Sequence, residues 1–479
     1  MAAKFSIPEI KELLGGVLLS ESEPGMTPMT ISTDTRTLNK GEAFFALIGE
    51  KYDAHDYLGK AAAAGAALLV ISNVAKMPKN CPCAALVVDD TLRAYQDLAA
   101  YYRGRVDPFV IAITGSVGKT TLKDMVACVL SQKTRAAWTD GNLNNQVGLP
   151  RTILEMDEDT ETLVLEMGMS RAGEIKRLAE IARPDACAIT NIGMAHRENF
   201  DTDDGILKAK FEITSFLGAD GALVTSWGSR GLSRLAKEGS LDKGYKVLQV
   251  AAWKKNSPAY LDYLVTRTYI DETDISISRF KVKEQKTREV VPFAIPLPGT
   301  FAGVSAAMAA ALCSCAGVSL AETADALAGL KRTPHRLETV RAGGILVIDD
   351  TYNASPDSAR AGLTYLKNVP SARRIAVLAD MFELGANTWK LHEPIGKHAY
   401  NSGVNILCAY GKIAKAIANG AEKAASGTDM QVVHFGADRK AEMIDWLRRL
   451  VKDGDTVYVK GSRSMKMEDV VNALTGGEA

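Results

Sequence analysis

One short segment constrains the fold of this chain more than any other. Residues 109–113 form an apolar run, glycines follow at Gly115 and Gly118, and a helix-compatible stretch starts at Leu122. A strand, a glycine turn and a helix start together form a cradle for phosphate, because backbone N–H groups and the positive end of the helix face the anion. The segment therefore predicts a nucleotide phosphate site on a parallel sheet.

The side chains of this loop favour the same conclusion. Its spacing is Gly-x-x-Gly-Lys-Thr, and Ile113 stands where the usual phosphate-binding loop has its first glycine. Lys119 is expected to reach the β- and γ-phosphates, and the Thr120 hydroxyl is expected to bind Mg²⁺. An ordinary turn before a helix is the alternative, which the order of strand, loop and helix disfavours. The residues predicted to contact phosphate are Gly115, Ser116, Val117, Gly118, Lys119, Thr120 and Thr121.

Length, composition and charge exclude several classes of protein. The 479 residues suffice for about three domains, and the hydrophobic share of 47% is that of a soluble globular protein. Lys+Arg and Asp+Glu both number 57, so no net charge attracts nucleic acid or an anionic membrane. The apolar runs are too short to span a bilayer, and the N-terminus lacks the apolar core of a signal peptide. We therefore predict no nucleic-acid partner and no membrane insertion.

The seven cysteines favour a reducing compartment. Cys81 and Cys83, like Cys313 and Cys315, are separated by one residue, a spacing that fits neither a zinc knuckle nor a redox C-x-x-C motif. Reduced and mostly buried thiols in a cytoplasmic protein are the simpler interpretation.

The order of predicted strands and helices divides the chain into three α/β units. The first covers residues 1–105, the second 106–332 and the third 333–479. The second alternates strand with helix, which indicates a parallel sheet with helices on both faces, and residues 260–280 alternate with period two, which indicates an antiparallel hairpin. The third alternates in the same way and predicts a small Rossmann-like domain. Its strands are predicted near 345–349, 375–379, 405–410, 431–435 and 456–460.

Two polar residues follow strands of the second unit. Glu166 ends the apolar strand 163–165, and His196 comes shortly after the strand 186–190. In open α/β sheets ligands collect at the carboxyl ends of the strands, so both residues should face the crevice of Lys119. A structural role is the alternative for each residue alone, but together they favour metal ligands. Mg²⁺ suits the carboxylate, although imidazole is an unusual ligand for so hard an ion.

The other two units also place polar groups at strand ends or in turns. In the third unit, the first strand runs into Asp349–Asn353, the last strand into Lys460–Arg463, and Arg336 lies just upstream. In the first unit a basic side chain, hydroxyls and a glycine turn recur within residues 31–56. Solvated or capping side chains are the alternative interpretation for the first unit.

Taken together, these segments resemble the Mur ligase family over essentially the whole chain. The segments that carry the resemblance are Thr33–Arg36, Gly49–His55, Thr114–Thr120, Gly141–Asn145, Glu166–Gly168, His196, Lys208–Lys210, Asp349–Asn353, Asp380–Gly385 and Lys460–Arg463. The resemblance implies an α/β fold of three domains. These are a small UDP-substrate domain, a parallel-sheet ATPase domain with the phosphate loop, and a mobile Rossmann-like domain that closes over ATP.

The resemblance also implies a reaction. The segments Gly141–Asn145, Asp349–Asn353 and Lys460–Arg463 favour the family reaction that joins D-alanyl-D-alanine to UDP-N-acetylmuramoyl-tripeptide through an acyl phosphate. The implied cofactors are ATP and Mg²⁺, and a cytoplasmic monomer is expected. Whether the third residue of the acceptor is diaminopimelate or lysine stays open.

Site residues follow from the resemblance position by position. The implied ATP site adds Asn145, Arg336, Asp350, Tyr352 and Asn353 to the phosphate loop. The implied metal ligands are Thr120, Glu166, His196 and, if it is carbamylated, Lys210. The implied catalytic residues are Lys119, Lys210, His196 and Arg336. The implied UDP-substrate residues are Ser32, Thr33, Asp34, Thr35, Arg36, Gly49, Asp53 and His55.

Lys210 has a plain alternative, which is a solvated lysine on a helix predicted over 204–216. An ammonium cannot ligate a metal, whereas a lysine carbamate presents two anionic oxygens of the kind that Mg²⁺ prefers. Carbamylation needs a neutral amine, so the hypothesis predicts a pKa lowered by burial.

The chain departs from the family pattern at one place, where Phe301–Ser305 replaces the usual His-Asn-x-x-Asn, and no site is assigned there. Two alternatives of other classes stay open, namely an ATPase that drives a conformational change and a non-catalytic nucleotide-binding module. Within the ligases the alternatives are folylpolyglutamate synthase and the enzyme that adds the third peptide residue. The latter usually carries Asp-Asn-Pro-Arg, which this sequence lacks.

Overall fold

A computed structural model gives the structure of the protein and shows three β-sheets, one within each predicted unit. It describes residues 2–19, 27, 29–79, 81–193, 200, 202–228, 231–232, 244–254, 260–266, 268–271, 274–299 and 301–477. No helix in these ranges combines the length and the apolar character that a membrane crossing needs.

The first unit is a five-stranded sheet of order β1-β5-β4-β3-β2, in which only β1 is antiparallel to its neighbour. The first helix begins where Ser6 and Glu9 form a capping box. The elements are α1 Ile7–Leu14, β1 Val17–Leu19, β2 Ile31–Ser32, β3 Ala43–Phe45, α2 Leu58–Ala63, β4 Leu68–Ile71, β5 Ala84–Val87 and α3 Thr91–Val106, with 3₁₀ turns at Ala54–Tyr57 and Val74–Lys76.

The second unit is a ten-stranded sheet of order β13-β14-β12-β11-β10-β9-β6-β8-β7, with β15 paired to β14. Its strands are β6 Phe109–Thr114, β7 Ala136–Trp138, β8 Thr162–Glu166, β9 Ala186–Ile189, β10 Ala222–Ser226, β11 Lys246–Ala252, β12 Tyr263–Val265, β13 Tyr269–Ile270, β14 Ser278–Glu284 and β15 Val290–Ile295. Its helices are α4 Lys119–Leu130, α5 Gly148–Glu155, α6 Glu174–Ala182, α7 Asp203–Phe211, α8 Ala302–Cys315 and α9 Leu320–Ala328, with a 3₁₀ turn at Glu212–Thr214.

The central strand β6 carries the phosphate loop into the middle of this sheet. It pairs in parallel with β8 on one side and β9 on the other, and Val110–Ile113 is fully buried. Strands buried on both faces read as continuous apolar runs, which is why the sequence identifies this strand. The carboxyl ends of β6, β8 and β9 therefore lie side by side.

The antiparallel pairing predicted within residues 260–280 is confirmed, but its partners differ from a simple hairpin. Strand β14 pairs antiparallel with both β12 and β13, and it forms a longer hairpin with β15. Strand β12 also continues the parallel order next to β11. The alternation in the sequence identifies these residues as strands, but tertiary packing determines which strands pair.

Helix α3 fixes the first unit onto the second. Leu98 and Tyr102 of α3 belong to one buried cluster with Leu149 of α5 and Leu178 of α6. The Tyr102 hydroxyl donates a hydrogen bond to the Met156 carbonyl at 3.0 Å. The two sheets thus share a hydrophobic core, so they move as one body.

The third unit is a six-stranded sheet of order β16-β17-β21-β18-β19-β20, parallel except for β16. The five strands predicted for it are confirmed within two residues at their ends, and β16 is an additional edge strand. Its elements are β16 Glu338–Ala342, β17 Ile345–Asp349, α10 Pro356–Asn368, β18 Arg373–Ala379, α11 Thr388–Asn401, β19 Ile406–Tyr410, α12 Lys415–Ala424, β20 Gln431–Phe435, α13 Lys440–Leu450, β21 Asp455–Lys460 and α14 Glu468–Thr475, with 3₁₀ turns at Gly385–Asn387 and Arg463–Met465.

Polar contacts dock the third unit against the second. The Tyr365 hydroxyl donates to the Ile275 carbonyl at 3.1 Å, and the Thr333 hydroxyl donates to Asp124 Oδ2 at 2.5 Å. The ring of Phe301 packs against the hydrophobic clusters of both units. In this arrangement the carboxyl ends of β6, β8 and β9 face those of β17, β18 and β21.

A buried histidine ties α11 to the loop after β18. His392 Nε2 accepts a hydrogen bond from the Met381 N–H at 2.9 Å, and Nδ1 lies 2.8 Å from the Thr388 carbonyl, to which it must donate. The ring is fully buried and neutral in this arrangement, and burial lowers the pKa of His392 below its usual 6.5.

The lowered pKa predicts acid destabilisation of the protein. Below about pH 6.5 the unfolded chain binds a proton that the folded His392 does not, so the free energy of unfolding falls as the pH falls. The slope from this residue is at most about 1.4 kcal/mol per pH unit. Chemical denaturation at several pH values measures it, and His392→Gln should reduce the slope. A variant with the wild-type slope would contradict the assignment.

Candidate active site

The facing strand ends enclose one cleft of about 1930 Å³ between the units. The second unit contributes the whole phosphate loop from Ser116 to Thr121, the third contributes Arg336 and Tyr352, and the first contributes Gly49. The predicted groups Lys119, Glu166, Asn145, Asp350 and Asn353 also line it. The structure therefore brings the predicted nucleotide residues together.

The phosphate loop has the backbone that its glycines allow. Gly115 adopts φ +148°, and a Cβ built on it would lie 1.8 Å from the Thr190 hydroxyl oxygen, so only glycine fits. Gly118 adopts φ +84° directly before α4, which begins at Lys119, three residues earlier than the sequence suggests. The first turn of α4 thus points its N–H groups into the cleft.

Asn191 braces this loop, and the sequence analysis missed it. Its Oδ1 accepts hydrogen bonds from the N–H groups of Ser116 at 3.1 Å and Val117 at 2.9 Å. The Thr190 hydroxyl donates to the Val117 carbonyl at 2.7 Å. The sequence feature that could have identified Asn191 is its position two residues past the end of β9, the strand beside the one that carries the phosphate loop.

Glu166 is poised to bind a cation. It ends β8 and is buried, and its Oε1 accepts a hydrogen bond from Asn144 Nδ2 at 2.7 Å. Its Oε2 is also buried and has no hydrogen-bond partner among the residues that the structure describes. An unpartnered buried carboxylate oxygen is costly unless a cation neutralises it. The residue therefore fits the predicted role as a Mg²⁺ ligand. His196, the other predicted ligand from the second unit, lies outside the described residues.

Arg336 reaches the phosphate loop from the third unit. Its Nη2 donates to the Thr120 hydroxyl at 3.2 Å, and its guanidinium carbon lies 4.1 Å from the centre of the Tyr352 ring. Its Nε is buried and finds no hydrogen-bond partner in the described part of the chain. The ring holds the guanidinium by a cation–π contact. This places a permanent positive charge beside Lys119 and Thr120.

Lys119 and Lys210 are basic side chains whose pKa values are lowered by burial. Lys119 Nζ donates to the Gly115 carbonyl at 3.0 Å. Burial lowers the pKa of Lys119, the negative charge of Glu166 opposes that shift and the charge of Arg336 adds to it. Lys210 on α7 is 1% exposed, and burial together with the ammonium of Lys119 holds its pKa well below 10.5. Lys210 is thus buried rather than solvated.

The polar loop after β17 divides into buried and exposed groups. Asp350 Oδ2 accepts hydrogen bonds from Lys460 Nζ at 2.6 Å and from the Tyr458 hydroxyl at 2.9 Å. Lys460 Nζ also donates to the Asn353 carbonyl at 2.9 Å. Asp350 is therefore a buried partner of Lys460 that shapes the loop, while Asn353 is exposed at the cleft. Asn145, also exposed, caps α5 by accepting from the Gly148 N–H at 2.8 Å.

The predicted UDP-substrate residues lie on the first unit, and Gly49 is the one that lines the cleft. Arg36 Nη2 and Asp34 Oδ2 are 2.6 Å apart in an exposed ion pair, and this contact lowers the pKa of Asp34 to about 2. Ser32, Thr33 and Thr35 share that loop. The structure does not bring this loop to the phosphate loop.

His55 occupies a buried position in the first unit. Its Nε2 accepts from the Ser72 N–H at 2.9 Å, and its Nδ1 lies 2.7 Å from Asp53 Oδ1. Lys76 Nζ bonds Asp53 Oδ2 at 2.7 Å, and these contacts hold the pKa of Asp53 below its usual range. Both ring nitrogens are engaged, so His55 fixes the shape of the Gly49–His55 loop.

The departure at Phe301–Ser305 gives the cleft an apolar section. Phe301, Val304 and Ser305 line the cleft at the start of α8, together with Leu297. The seven cysteines are free thiols, as the sequence predicts, but the prediction that most are buried is wrong. Cys187, Cys313 and Cys408 are buried, and the other four are partly exposed.

Comparison with known proteins gives a consistent relationship over the whole length. A model of the Mur ligase middle domain matches residues 113–313, and a model of the Mur ligase glutamate ligase domain matches residues 335–463. The chain is 34% identical to the UDP-N-acetylmuramoyl-tripeptide--D-alanyl-D-alanine ligase of Bacillus subtilis and 35% identical to that of Escherichia coli, over 98% of each chain.

Solved structures agree with these matches. A crystal structure of MurF from Acinetobacter baumannii superposes with a TM-score of 0.87 at 27% identity, over 99% of both chains. The MurF ligase of Thermotoga maritima in complex with ADP gives a TM-score of 0.81 at 25% identity, over 94% of this chain and 97% of that one.

The bracing of the phosphate loop by Asn191 can be tested by substitution. In Asn191→Ala the Val117 N–H loses its acceptor and the Ser116 N–H keeps only the Asn191 carbonyl, so we expect nucleotide affinity to fall about tenfold. In Asn191→Asp the acceptor stays but a negative charge faces the phosphates, so the loss should be larger and should shrink at high salt. Titration with a fluorescent ATP analogue measures both, with exposed Asn39→Ala as the control. Tighter binding in Asn191→Ala would show that Asn191 competes with phosphate instead of supporting the loop.

Proposed function

The chain belongs to the Mur ligase family, and we propose that it joins D-alanyl-D-alanine to UDP-N-acetylmuramoyl-tripeptide with hydrolysis of ATP to ADP. The observation that carries this proposal is the shared cleft, where the Gly-x-x-Gly-Lys-Thr loop meets Arg336 of the third unit at Thr120. A cleft that needs two units to complete it suits a reaction that must exclude water. The names of the full-length relatives agree with this reaction.

The alternatives from other classes fit less well. A non-catalytic module would not require the unpartnered oxygen of Glu166 or the buried amine of Lys210 beside the phosphate loop. A bare ATPase would not require a cleft wide enough to admit two further substrates. Among the ligases, full-length identity to enzymes that use D-alanyl-D-alanine disfavours the enzyme that adds the third residue and folylpolyglutamate synthase.

The chemistry brings anions together twice. In the first step the tripeptide carboxylate attacks the γ-phosphorus of ATP, ADP leaves, and an acyl phosphate forms. In the second the dipeptide amine attacks the carbonyl carbon, and phosphate leaves as the amide forms. Lys119 and Arg336 offset the negative charge in both steps, and the N–H groups of the phosphate loop fix the β-phosphate. Asn145, Tyr352 and Asn353 are proposed to position the nucleotide.

Magnesium fits the same cleft. The proposed ligands of Mg²⁺ are Thr120, Glu166, His196 and the carbamate of Lys210. When it is bound, the ion supplies further neutralisation of phosphate charge.

We further propose that the protein is a cytoplasmic monomer. A cleft formed within one chain supports the monomer, and the free thiols support the cytoplasm. We also propose that the loops Ser32–Arg36 and Gly49–His55 bind the UDP end of the acceptor, where Arg36 can grip a diphosphate.

Product analysis tests the proposed reaction directly. The protein is incubated with ATP, D-alanyl-D-alanine and UDP-muramoyl-tripeptides that end in either diaminopimelate or lysine, and mass spectrometry detects the pentapeptide. ADP formation should require both peptide substrates. ADP release that proceeds at full rate without either substrate would overturn the proposal in favour of a simple ATPase.

Lys119→Ala should lower the turnover about a hundredfold or more, because an ammonium is lost from the phosphates in the transition state. Circular dichroism and melting should stay close to those of the wild type. Lys133→Ala, which removes an exposed lysine just beyond the other end of α4, is the control. More than a tenth of the wild-type turnover would refute the role of Lys119.

We propose that Lys210 carries a carbamate. Its neutral Nζ attacks the carbon of CO₂, a C–N bond forms and one proton is released, which turns a buried neutral amine beside Lys119 into an anion. Burial of the amine supports this proposal, since a lowered pKa supplies the neutral nucleophile.

Lys210→Ala should lose most activity, and formate or acetate should restore part of it by replacing the carboxylate. Lys208→Ala, two residues away and exposed, should have a mild effect. In ¹³C-bicarbonate buffer the wild type should show a carbamate NMR signal that Lys210→Ala lacks. An active Lys210→Ala variant, or a signal that persists in it, would reject the assignment.

A further inference from the structure

Two cysteines of the first unit lie in direct contact, and the proposed reaction does not use them. Cys81 and Cys83 come just before β5, both are partly exposed, and their Sγ atoms are 3.3 Å apart. Neither of them lines the cleft. The spacing of one residue did not predict this contact, so the tertiary structure assigns the two thiols to each other.

Pro82 holds the two cysteines close together. Its ring fixes φ of the residue between them and disfavours a helical conformation at Cys81. A chain that is restricted in this way loses less conformational entropy when its two sulfurs are joined. An S–S bond is about 2.05 Å long, so sulfurs that start 3.3 Å apart have to approach each other by about 1.2 Å.

The other pair of cysteines with the same spacing behaves differently. Cys313 and Cys315 lie on helix α8, where residues two apart in the chain project in different directions. Cys313 is fully buried, and the Cys315 thiol donates a hydrogen bond to the Ala311 carbonyl at 3.3 Å. Residues 81–83 are not helical, so their two sulfurs can face each other.

A disulfide suits this pair better than a metal ion does. A structural zinc site has four ligands, and no described histidine, cysteine or carboxylate joins the two thiols within metal-binding distance. The pair packs instead against an apolar cluster of the first unit that includes Leu58 and Ile71. Two neighbouring thiols without further ligands can still be joined to each other by oxidation.

The two thiols are not equivalent. Burial and the hydrogen bond with Cys81 raise the pKa of Cys83 to about 12, so Cys83 keeps its proton near neutral pH. The thiolate is the attacking form of cysteine, so we assign the first attack to Cys81. The Cys83 S–H can then donate a hydrogen bond to the sulfur of Cys81 and stabilise its thiolate.

The segment that carries the cysteines is tied to the loop Gly49–His55. Ala54 of this loop packs against the same apolar cluster as the two cysteines. Lys76, shortly before the cysteines in the chain, places its Nζ 2.7 Å from Asp53 Oδ2 of the same loop. A movement of residues 81–83 can therefore reach the loop through packing and through this ion pair.

We propose that Cys81 and Cys83 form a reversible disulfide with a low-molecular-weight disulfide as the oxidant, and that closing the bond weakens binding of the acceptor. The second part of this inference rests on the proposed function, because it takes the loop Gly49–His55 as a binding site for the UDP end. The disulfide itself does not depend on that assignment. In a cytoplasmic protein such a bond is transient and senses the redox state.

The exchange proceeds in two steps. The Cys81 thiol loses its proton to water and attacks one sulfur of the oxidant, a mixed disulfide forms, and the first thiolate leaves and takes up a proton from water. The Cys83 sulfur then attacks the Cys81 sulfur, and the second thiolate leaves with the proton that Cys83 loses. The protein is oxidised by two electrons, and the oxidant is reduced to two thiols.

Thiol labelling tests the disulfide. The protein is equilibrated with glutathione and glutathione disulfide at defined ratios, quenched with acid, alkylated and digested with trypsin, which releases both cysteines and no others in the peptide 80–93. As the share of glutathione disulfide rises, this peptide should appear without labels and lighter by two hydrogen atoms than its reduced form. A peptide that keeps both labels in a large excess of glutathione disulfide would overturn the proposal.

Single variants test the order of attack. Cys83→Ser should stop at the mixed disulfide with glutathione on Cys81, whereas Cys81→Ser should react far more slowly because Cys83 keeps its proton. Cys315→Ser, from the helical pair of the same spacing, is the control and should oxidise at residues 81 and 83 like the wild type. If Cys83→Ser melts well below the wild type, Cys83→Ala replaces it. Equally fast adduct formation in both variants would contradict the assigned order.

Kinetics of the reduced and the oxidised wild type test the effect on the acceptor. Oxidation should raise the KM for the UDP-tripeptide about threefold or more and leave the KM for ATP within about twofold, because ATP is proposed to bind the second unit. Dithiothreitol should restore the reduced values, and Cys81→Ser should be insensitive to the treatment. Equal KM values for the UDP-tripeptide in the two forms would overturn the effect on the acceptor. A reduced wild type that makes no pentapeptide would refute the proposed function, and the labelling result would still decide the disulfide.

Discussion

Repulsion among confined cations governs the centre of this protein. Burial and the charge of Arg336 lower the pKa of Lys119, burial and the charge of Lys119 lower the pKa of Lys210, and Glu166 provides a buried negative charge beside them. Such a site is under electrostatic stress until anions enter, because like charges in a poorly solvated site repel one another. Phosphate oxygens relieve that stress, so the same feature that costs stability in the free protein strengthens nucleotide binding. The protein tolerates this loss of stability because its glycines and Asn191 fix the backbone of the phosphate loop without a ligand.

The position of the third unit is coupled to this charge. Arg336 approaches Lys119 although both are cations, and the approach is sustained by the Thr120 hydroxyl and the ring of Tyr352. Contacts far from the charges, such as Tyr365 with the Ile275 carbonyl, carry part of the docking. The position of the third unit therefore depends on two opposing effects. Arg336 and Lys119 repel each other in the cleft, and contacts such as that of Tyr365 with the Ile275 carbonyl hold the units together.

The sequence predicts those parts of the site whose structure depends on residues that are adjacent in the chain. The phosphate loop, Glu166 and the strands of the third unit are local patterns, in which an apolar run ends at a polar residue. Asn191 was not recognised because its importance arises from its contact with Ser116, a residue distant in the chain. His55 shows the converse. Its motif suggests a ligand contact, yet both ring nitrogens are satisfied by Asp53 and Ser72, and only the tertiary structure reveals this. Strand β16 and the partners of β14 were likewise set by packing.

The shared core around α3 has a consequence for how an acceptor is chosen. Because Leu98 and Tyr102 join the first sheet to helices of the second, the interval between the first unit and the phosphate loop is set by rigid packing. An acceptor anchored at one end on the first unit must deliver its carboxylate across that interval to reach Lys119. If the first unit holds the UDP end as proposed, this fixed interval makes reach a criterion of its own, because a peptide one residue shorter or longer would bring its carboxylate to a different distance from Lys119.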